Sequence, residues 1–510
     1  MPILGNLIKE TTKRTYAKRR TLSVTHDLMV SEQLKTLVEL LSEAQKTEFG
    51  KTYGFEDIPA TFDAFRAFSE QVPLSNYETF QNNWLSKVLD GKSNIIWPGK
   101  ITNFALSSGT TSDTSKRIPV TESMIRQFQK TTMRQILDTH SQDFPGSFYN
   151  AKVLTVGGST KLVAKDKYFE GDLSGILAKH KSIALSPFTK PKRRISNLKS
   201  WNDKMQAMVD RAPKWNIGVI AGVPAWITML LEEIIHQHEL ESIHELWPNF
   251  RLYLHGGVYL EPYKERLEKC FGREIVYQNT YLASEGYFAY QRDTNTSGME
   301  LLSASGIYFE FIEEEHFDKI RSGELENIPT ITLTEVEENK PYALVISTCS
   351  GLWRYIIGDV IEFADLNLCK INIIGRVSST LNVLGEHLSE GNMMNAIKAT
   401  AEHFGVHVEE FTVSMNKTKD QHLWYVGSNQ RIDERQFAIL LDGHLKSIND
   451  DYNTIRKHLL KEPNVKWLPV QKFYEFLETK GKLGAQHKFP RVINEKRSNE
   501  WEFFLANGKG

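Results

Sequence analysis

The chain has 510 residues, with 62 Lys+Arg set against 63 Asp+Glu and a formal net charge of −1. That length supports roughly two to four domains, and the balance of charge removes any net field that would draw the chain to nucleic acid or a membrane surface. Three cysteines without C-x-x-C spacing, Cys270, Cys349 and Cys369, exclude a disulfide framework and point to a reducing compartment.

The opening stretch MPILGNLIKETTKRTYAKRR is apolar over too few residues for a signal peptide. No window approaches the length of apolar chain that spans a bilayer, so a cytoplasmic protein is expected. Residues 27–49 carry apolar positions at helical spacing. Next, ITNFALSSGTTSDTSKRIPVT (101–121) leads from a strand-like run into a loop dense in Ser and Thr. Backbone N–H groups freed at Gly109, the hydroxyls of Ser107, Ser108, Thr110 and Thr111, and the charge of Lys116 could wrap a polyphosphate. An ordinary surface turn has the same composition. The loop is not a Walker A motif, because Ser115 rather than glycine precedes Lys116, and no G-x-G-x-x-G is present there.

Residues 119–139 again have helical periodicity. AKVLTVGG (151–158) and WNIGVIAG (215–222) are short apolar runs ending in glycine, and Pro224 suits the first turn of a following helix. KPKRR (190–194) and EEE (313–315) read as solvated loop faces, the basic one also able to help hold an anion. HQHELESIH (236–244) has histidine spacings of two and six, neither of which matches H-E-x-x-H on one helical face. Exposed helix histidines and no structural metal are therefore expected. FRLYLHGG (250–257) predicts a strand, YLEPYKERLEKCFG a helix, and REIVYQNTYLASEG a strand leading into a polar loop. Alternating strands and helices imply parallel βαβ units with their functional loops at the strands' carboxyl ends, so Gly256, Gly257 and the 281–286 loop should share one rim. Beyond residue 300, extended segments without long helices between them predict an antiparallel sheet or barrel attached to the first core. A boundary is expected near Gly375–Ser379, followed by a small α+β unit.

LSSGTTSDTSK, YLASEG and LWRYIIGDVIEF, in that order, resemble the three ATP/AMP motifs of the plant auxin-responsive acyl acid amido synthetases and their bacterial relatives. That family lies within the acyl-adenylating superfamily of firefly luciferase, acyl-CoA synthetases and peptide-synthetase adenylation domains. GGVYLEP, the GR at 375–376 and the terminal GAQHKFPRV extend the resemblance over nearly the whole chain. It implies an α/β fold with a large N-terminal adenylation domain (1–375) of βαβ layers plus a β-barrel-like part, and a small mobile C-terminal α+β lid (376–510). The implied activity is ATP- and Mg²⁺-dependent adenylation of a small carboxylic acid, then transfer to an amine, most simply an amino acid. The implied enzyme is a monomer without nucleic-acid or membrane partners. A thioester-forming ligase using coenzyme A shares the first step, and a non-catalytic nucleotide-binding relative is the rival from another class. Asp113, where many relatives have glycine, encourages that rival.

By the same resemblance, Ser107–Thr111, with Thr110 and Lys116 foremost, would cradle the departing phosphates. Tyr281 and Ser284 would line the nucleotide pocket, and Glu285 would hold Mg²⁺, which prefers hard carboxylate oxygen. Asp359, an acceptor-only group, would take the ribose hydroxyls, and Arg376 would touch ribose or phosphate. Lys488 corresponds to the lysine that reaches the α-phosphate, with Lys480 and Lys482 as competitors for that role. Arg134, with Arg126 as second choice, would pair the acid's carboxylate, and Val223 would border the acyl pocket.

Overall fold

A computed structural model describes residues 2–20, 25–107, 116–180, 186–198, 200–257, 260–379, 381, 384, 386, 388–480 and 489–507. The chain divides into two compact units. The first comprises Met1–Leu260, Lys264–Ile357 and Ile361–Asn372, and the second Glu261–Tyr263, Gly358–Val360 and Ile373–Gly510.

In the first unit β1 (Asn103–Ser107) and β2 (Lys116–Val120) form an antiparallel pair, in a four-stranded sheet completed by Phe169–Gly171 and Val163–Ala164. β3 (Lys152–Thr155), β4 (Ile217–Ala221), β5 (Leu252–Gly256) and β6 (Val276–Ala283) are parallel neighbours. Runs such as IGVIA and LYLHG suit strands covered on both faces. Helix Pro224–Gln237 crosses from β4 to β5, with proline at its first position and a largely buried apolar stripe. Helix Glu261–Lys269 crosses from β5 to β6.

The extended segments from residue 300 to Arg376 join the same sheet as the parallel strands. β7 (Gly286–Tyr290), β8 (Met299–Leu301), β9 (Ile307–Glu313), β10 (Pro341–Thr348), β11 (Tyr355–Asp365) and β12 (Lys370–Arg376) continue the parallel set. Together with Thr189–Lys190 they make one 11-stranded sheet in the order β9-β10-β11-β12-β8-β7-β6-β5-β4-β3-Thr189–Lys190. Beyond the helical crossovers pairing becomes antiparallel; β9 lies on β10 from Ile307↔Thr348 to Glu313↔Tyr342, and the chain between them carries the short helix Phe317–Ser322.

The second unit carries β13 (Glu410–Met415), β14 (Gln421–Gly427) and β15 (Lys461–Leu468). β13 is antiparallel and β15 parallel to β14. Helix Glu390–Phe404 begins in a Ser389/Asn392 capping box and ends at a left-handed Gly405, and its apolar side meets Phe411, Val413, Trp424 and Leu441. On the other side of the sheet Phe473, Phe476, Phe489 and Trp501 pack on Tyr425. Residues 489–493 dock on β13 through Val413 N–H to Arg491 O (2.8 Å) and Ile493 N–H to Val413 O (2.9 Å).

Candidate active site

The register of the parallel strands sets the rim. Thr155 pairs with Ala221, Ala221 with Leu254 and Gly256 with Thr280, so β3, β4 and β5 end within two residues of one another and β6 runs three residues further, at the edge where open α/β sheets bind ligands. A Cβ on Gly256 would lie 2.2 Å from the Thr280 carbonyl oxygen, which explains glycine there. Val223 stands at the start of helix Pro224–Gln237 on the same rim, half-buried.

β6 runs past Gly256 through Ala283, so the expected 281–286 loop is mostly strand. Only Ser284 and Glu285 turn, between Ala283 and its pairing partner Gly286. Hairpin tips ordinarily face water, yet Ser284 is 8% and Glu285 6% exposed. Tyr281 is buried, its ring 4.7 Å from Phe288. A buried carboxylate at a strand's carboxyl end suits Mg²⁺, which commonly takes one or two carboxylates plus substrate phosphates.

Ser107 and Lys116 sit directly opposite each other at the end of the β1–β2 ladder. The Lys116 ammonium lies 5.5 Å from the Tyr77 ring centroid, and the Tyr77 hydroxyl accepts from Arg117 N–H at 2.8 Å. Arg117 pairs with buried Glu170 at 2.8 Å, and Lys165 with the same carboxylate at 3.2 Å. Ser108, Gly109, Thr110, Thr111 and Asp113 lie outside the described residues.

Arg134 is half-buried on helix Glu122–Asp138, whereas Arg126 is exposed and donates to the Ser123 hydroxyl. The neighbours of Arg134 fasten this helix to the hairpin. Gln135 Nε2 donates to Gln278 Oε1 (2.9 Å), Tyr287 OH donates to Gln135 Oε1 (2.7 Å), and Tyr290 OH donates to Asp138 Oδ2 (2.6 Å). Burial holds the Tyr287 phenol well above its ordinary range, so it remains a donor.

In the second unit, Asp359 follows Gly358, whose φ of +88° favours glycine. Its Oδ1 lies 2.7 Å from Arg376 Nε, so these two predicted residues are brought together. Lys488 and Lys482 lie outside the described residues. Lys480 is engaged with Glu500 at 2.6 Å. Arg491, beyond Phe489, is buried against Glu410 at 2.6 Å, and that carboxylate also accepts from Tyr263 OH at 2.7 Å.

Some structurally decisive residues escaped sequence reasoning. Arg354, in LWRY, is buried and pairs with buried Glu310; a charge within the apolar run IYFEFI and another just before YIIGDVI were the available signal. Gln135 lies on the 124-128-131-135-138 stripe, a helical repeat occupied elsewhere by Met124 and Phe128. His244 is a correction, because it is buried rather than exposed: one ring nitrogen contacts Phe250 O at 3.1 Å and the other accepts from Gly272 N–H at 3.1 Å. Burial lowers its pKa, as expected for a structural imidazole.

A sheet that switches from parallel to antiparallel at a buried Ser-Glu hairpin, with a small α+β unit after it, has the architecture of the acyl-adenylating ligases. The fold matches 2-hydroxyisobutyryl-CoA ligase in its postadenylation state with a TM-score of 0.60 at 12% identity, over 92% of this chain and 91% of that one. A GH3.15 acyl acid amido synthetase structure matches with a TM-score of 0.77 at 15% identity, over 96% of this chain and 95% of that one. The GH3 family N-terminal, central and C-terminal domains match residues 21–162, 300–376 and 391–497, and the chain belongs to the GH3 family. Among its relatives is the indole-3-acetic acid-amido synthetase GH3.4 of Arabidopsis thaliana, 25% identical over 429 residues, 72% of this chain and 70% of the relative.

Proposed function

We propose that this protein is an ATP-dependent acyl acid amido synthetase. A carboxylate is a poor acyl donor because oxide is a poor leaving group. In the first step a carboxylate oxygen of the acid attacks the α-phosphorus of ATP and pyrophosphate departs, giving the acyl-adenylate. In the second, the amine of an amino acid attacks the acyl carbon, AMP leaves with the bonding electrons, and the amine loses a proton. The observation that carries the reading is the buried Ser284–Glu285 tip at the carboxyl end of β6, in a chain matched by all three GH3 domains.

The roles follow from residue chemistry. Ser107, Ser108, Gly109, Thr110, Thr111 and Lys116 would offer donors and charge to the leaving phosphates. Tyr281 and Ser284 would wall the nucleotide, and Asp359, steadied by Arg376, would accept from the ribose hydroxyls. Glu285 would hold Mg²⁺, which when bound neutralises phosphate charge. Arg134 would seat the acid's carboxylate, Val223 would shape the acyl pocket, and Lys488 would reach the α-phosphate and carboxylate during adenylation. We place the boundary of a lid at 375–376. The lid would exchange half-reactions by swinging. Three buried thiols fit a reducing, cytoplasmic setting, and the chain is read as a monomer, which sedimentation would check.

The test is pyrophosphate release with Mg²⁺-ATP and a panel of indole-3-acetate, benzoate and aliphatic acids, followed by addition of amino acids or coenzyme A. Acid-dependent pyrophosphate and an amide are expected. Thioester in place of amide would make the protein a coenzyme A ligase. Nucleotide binding with no acid-dependent pyrophosphate across the panel would make it a binding protein, and Glu285→Gln as active as wild type at limiting Mg²⁺ would remove the metal role.

A further inference from the structure

Helix Glu122–Asp138 is tied to two segments that carry sequence motifs and follows directly on a third. Its first turn follows β2, which starts at Lys116. At that end Thr121 OH donates to Cys349 O and Ser350 OH donates to Pro119 O, each at 2.7 Å, which joins the helix to the turn before LWRY. Further along, the Gln135 amide spans both strands of the nucleotide hairpin, donating to Gln278 on β6 and accepting from Tyr287 on β7. All three side chains are buried. Gln278 is itself held by donation to Gln291 O at 2.8 Å, and Asp138 adds Tyr290 at 2.6 Å and Arg292 at 3.3 Å.

An apolar residue at 135 would pack the helix on the sheet but leave its rotation and axial setting soft. The amide is satisfied at one setting only, because any slip strands buried donors and acceptors. Arg134 precedes it by one residue, so the same setting aims Arg134.

We propose that Gln135, clamped between Gln278 and Tyr287, is a positioning residue that couples nucleotide binding at the β6–β7 hairpin to the acid-binding face of helix Glu122–Asp138. This rests on the functional reading above for the nucleotide and the acid. The clamp transmits small displacements of the Ser284–Glu285 tip to Arg134, so each substrate tightens the site of the other, and such coupling is reciprocal.

Two measurements on the full chain test this. The first needs no acid: hydrogen exchange across residues 122–138, with and without a non-hydrolysable ATP analogue. Wild type should show slowed exchange in this helix on nucleotide binding, and Gln135→Met should lose that protection while still binding the analogue. The second uses the best acid of the panel. Gln135→Met should raise the KM for the acid about tenfold, the equivalent of about 1.4 kcal/mol, with an unchanged rate of amide formation from pre-formed adenylate. Gln135→Met/Tyr287→Phe, which removes both partners of one hydrogen bond, should regain thermal stability without regaining coupling. Should Gln135→Met not fold, Tyr287→Phe alone serves in both assays. Unprotected helix exchange in nucleotide-bound wild type, or wild-type protection and acid KM in a folded variant, overturns the proposal. A wild type with no acid-dependent pyrophosphate overturns the function instead, and leaves the exchange result to decide the clamp.

Discussion

Arg354 offers the sharpest test of how the LWRY segment is held. Its side chain is 5% exposed, and that of Glu310 is 2% exposed. Nε donates to both Glu310 oxygens at 3.1 Å, Nη1 to Ser69 O and Val72 O at 2.6 Å each, and Nη2 to Thr330 Oγ1 at 2.6 Å. The residue also holds φ of +41°, a left-handed setting kept only when its surroundings demand it. Arg354→Met leaves the backbone setting to another non-glycine side chain, so that cost is unchanged. What it adds is a buried carboxylate without its cation, and the loss of the Arg354 donor from the buried Val72 carbonyl and the half-buried Ser69 carbonyl. Removing one partner of a buried pair costs about 3–5 kcal/mol, and the first unit should lose that much. Arg354→Met/Glu310→Gln removes the stranded charge, while the amide oxygen can still accept from Thr330, which donates to Glu310 at 2.7 Å in the wild type. More than half of the loss should return. Urea unfolding followed by fluorescence and circular dichroism, with the two units fitted separately where their transitions separate, reads both values. A single variant within about 1 kcal/mol of wild type, below the range for a broken buried pair, or a double variant no better than the single, would refute the reasoning.

Asp359→Ala should weaken ATP binding by roughly 10- to 150-fold, the value of a hydrogen bond to a charged group, as read by calorimetry. Lys488→Ala should bind ATP normally and slow acid-dependent pyrophosphate release; near-wild-type behaviour of both would count against these roles. For Asp442, burial acts to raise the carboxyl pKa, but hydrogen bonds from Arg456, Lys446 and Tyr452 outweigh it and leave the pKa lowered. Because the folded value is depressed, this stabilisation is complete above the ordinary carboxylate range of about 4 and is lost as pH falls through the lower folded value. Asp442→Asn should therefore flatten the acid limb of the second unit's stability curve, and an unchanged limb would sink the assignment. Burial pushes the thiols of Cys270, Cys349 and Cys369 up to about 12. Ellman's reagent should react slowly with native protein and count three thiols once urea unfolds it, whereas a fast native thiol would contradict the packing.

Much of the architecture was legible in the chain, because strands that end in glycine and helices with an apolar stripe advertise local period and local turns. Gly256 beside Thr280 and Pro224 at a helix start are of this kind. So is the hydroxyl-rich run closed by Ser107 and Lys116. The pairing of distant polar groups was not legible. Glu310 meets Arg354 across 44 positions and Gln135 meets Gln278 across 143, and nothing in a periodicity names a partner so far away.

The sequence by itself determined the alternation of strand and helix, the order of its three motifs, and the side-chain chemistry available to a phosphate, a metal and a carboxylate. Tertiary structure alone decided that the strands beyond residue 300 extend the same sheet, that Tyr281–Ala283 are strand, and that Ser284 and Glu285 are buried at its end. The physical reason is that propensity and period are properties of neighbours along the chain. Burial and hydrogen-bond partnership are instead properties of neighbours in space, set by register and packing once the sheet has closed on its helices.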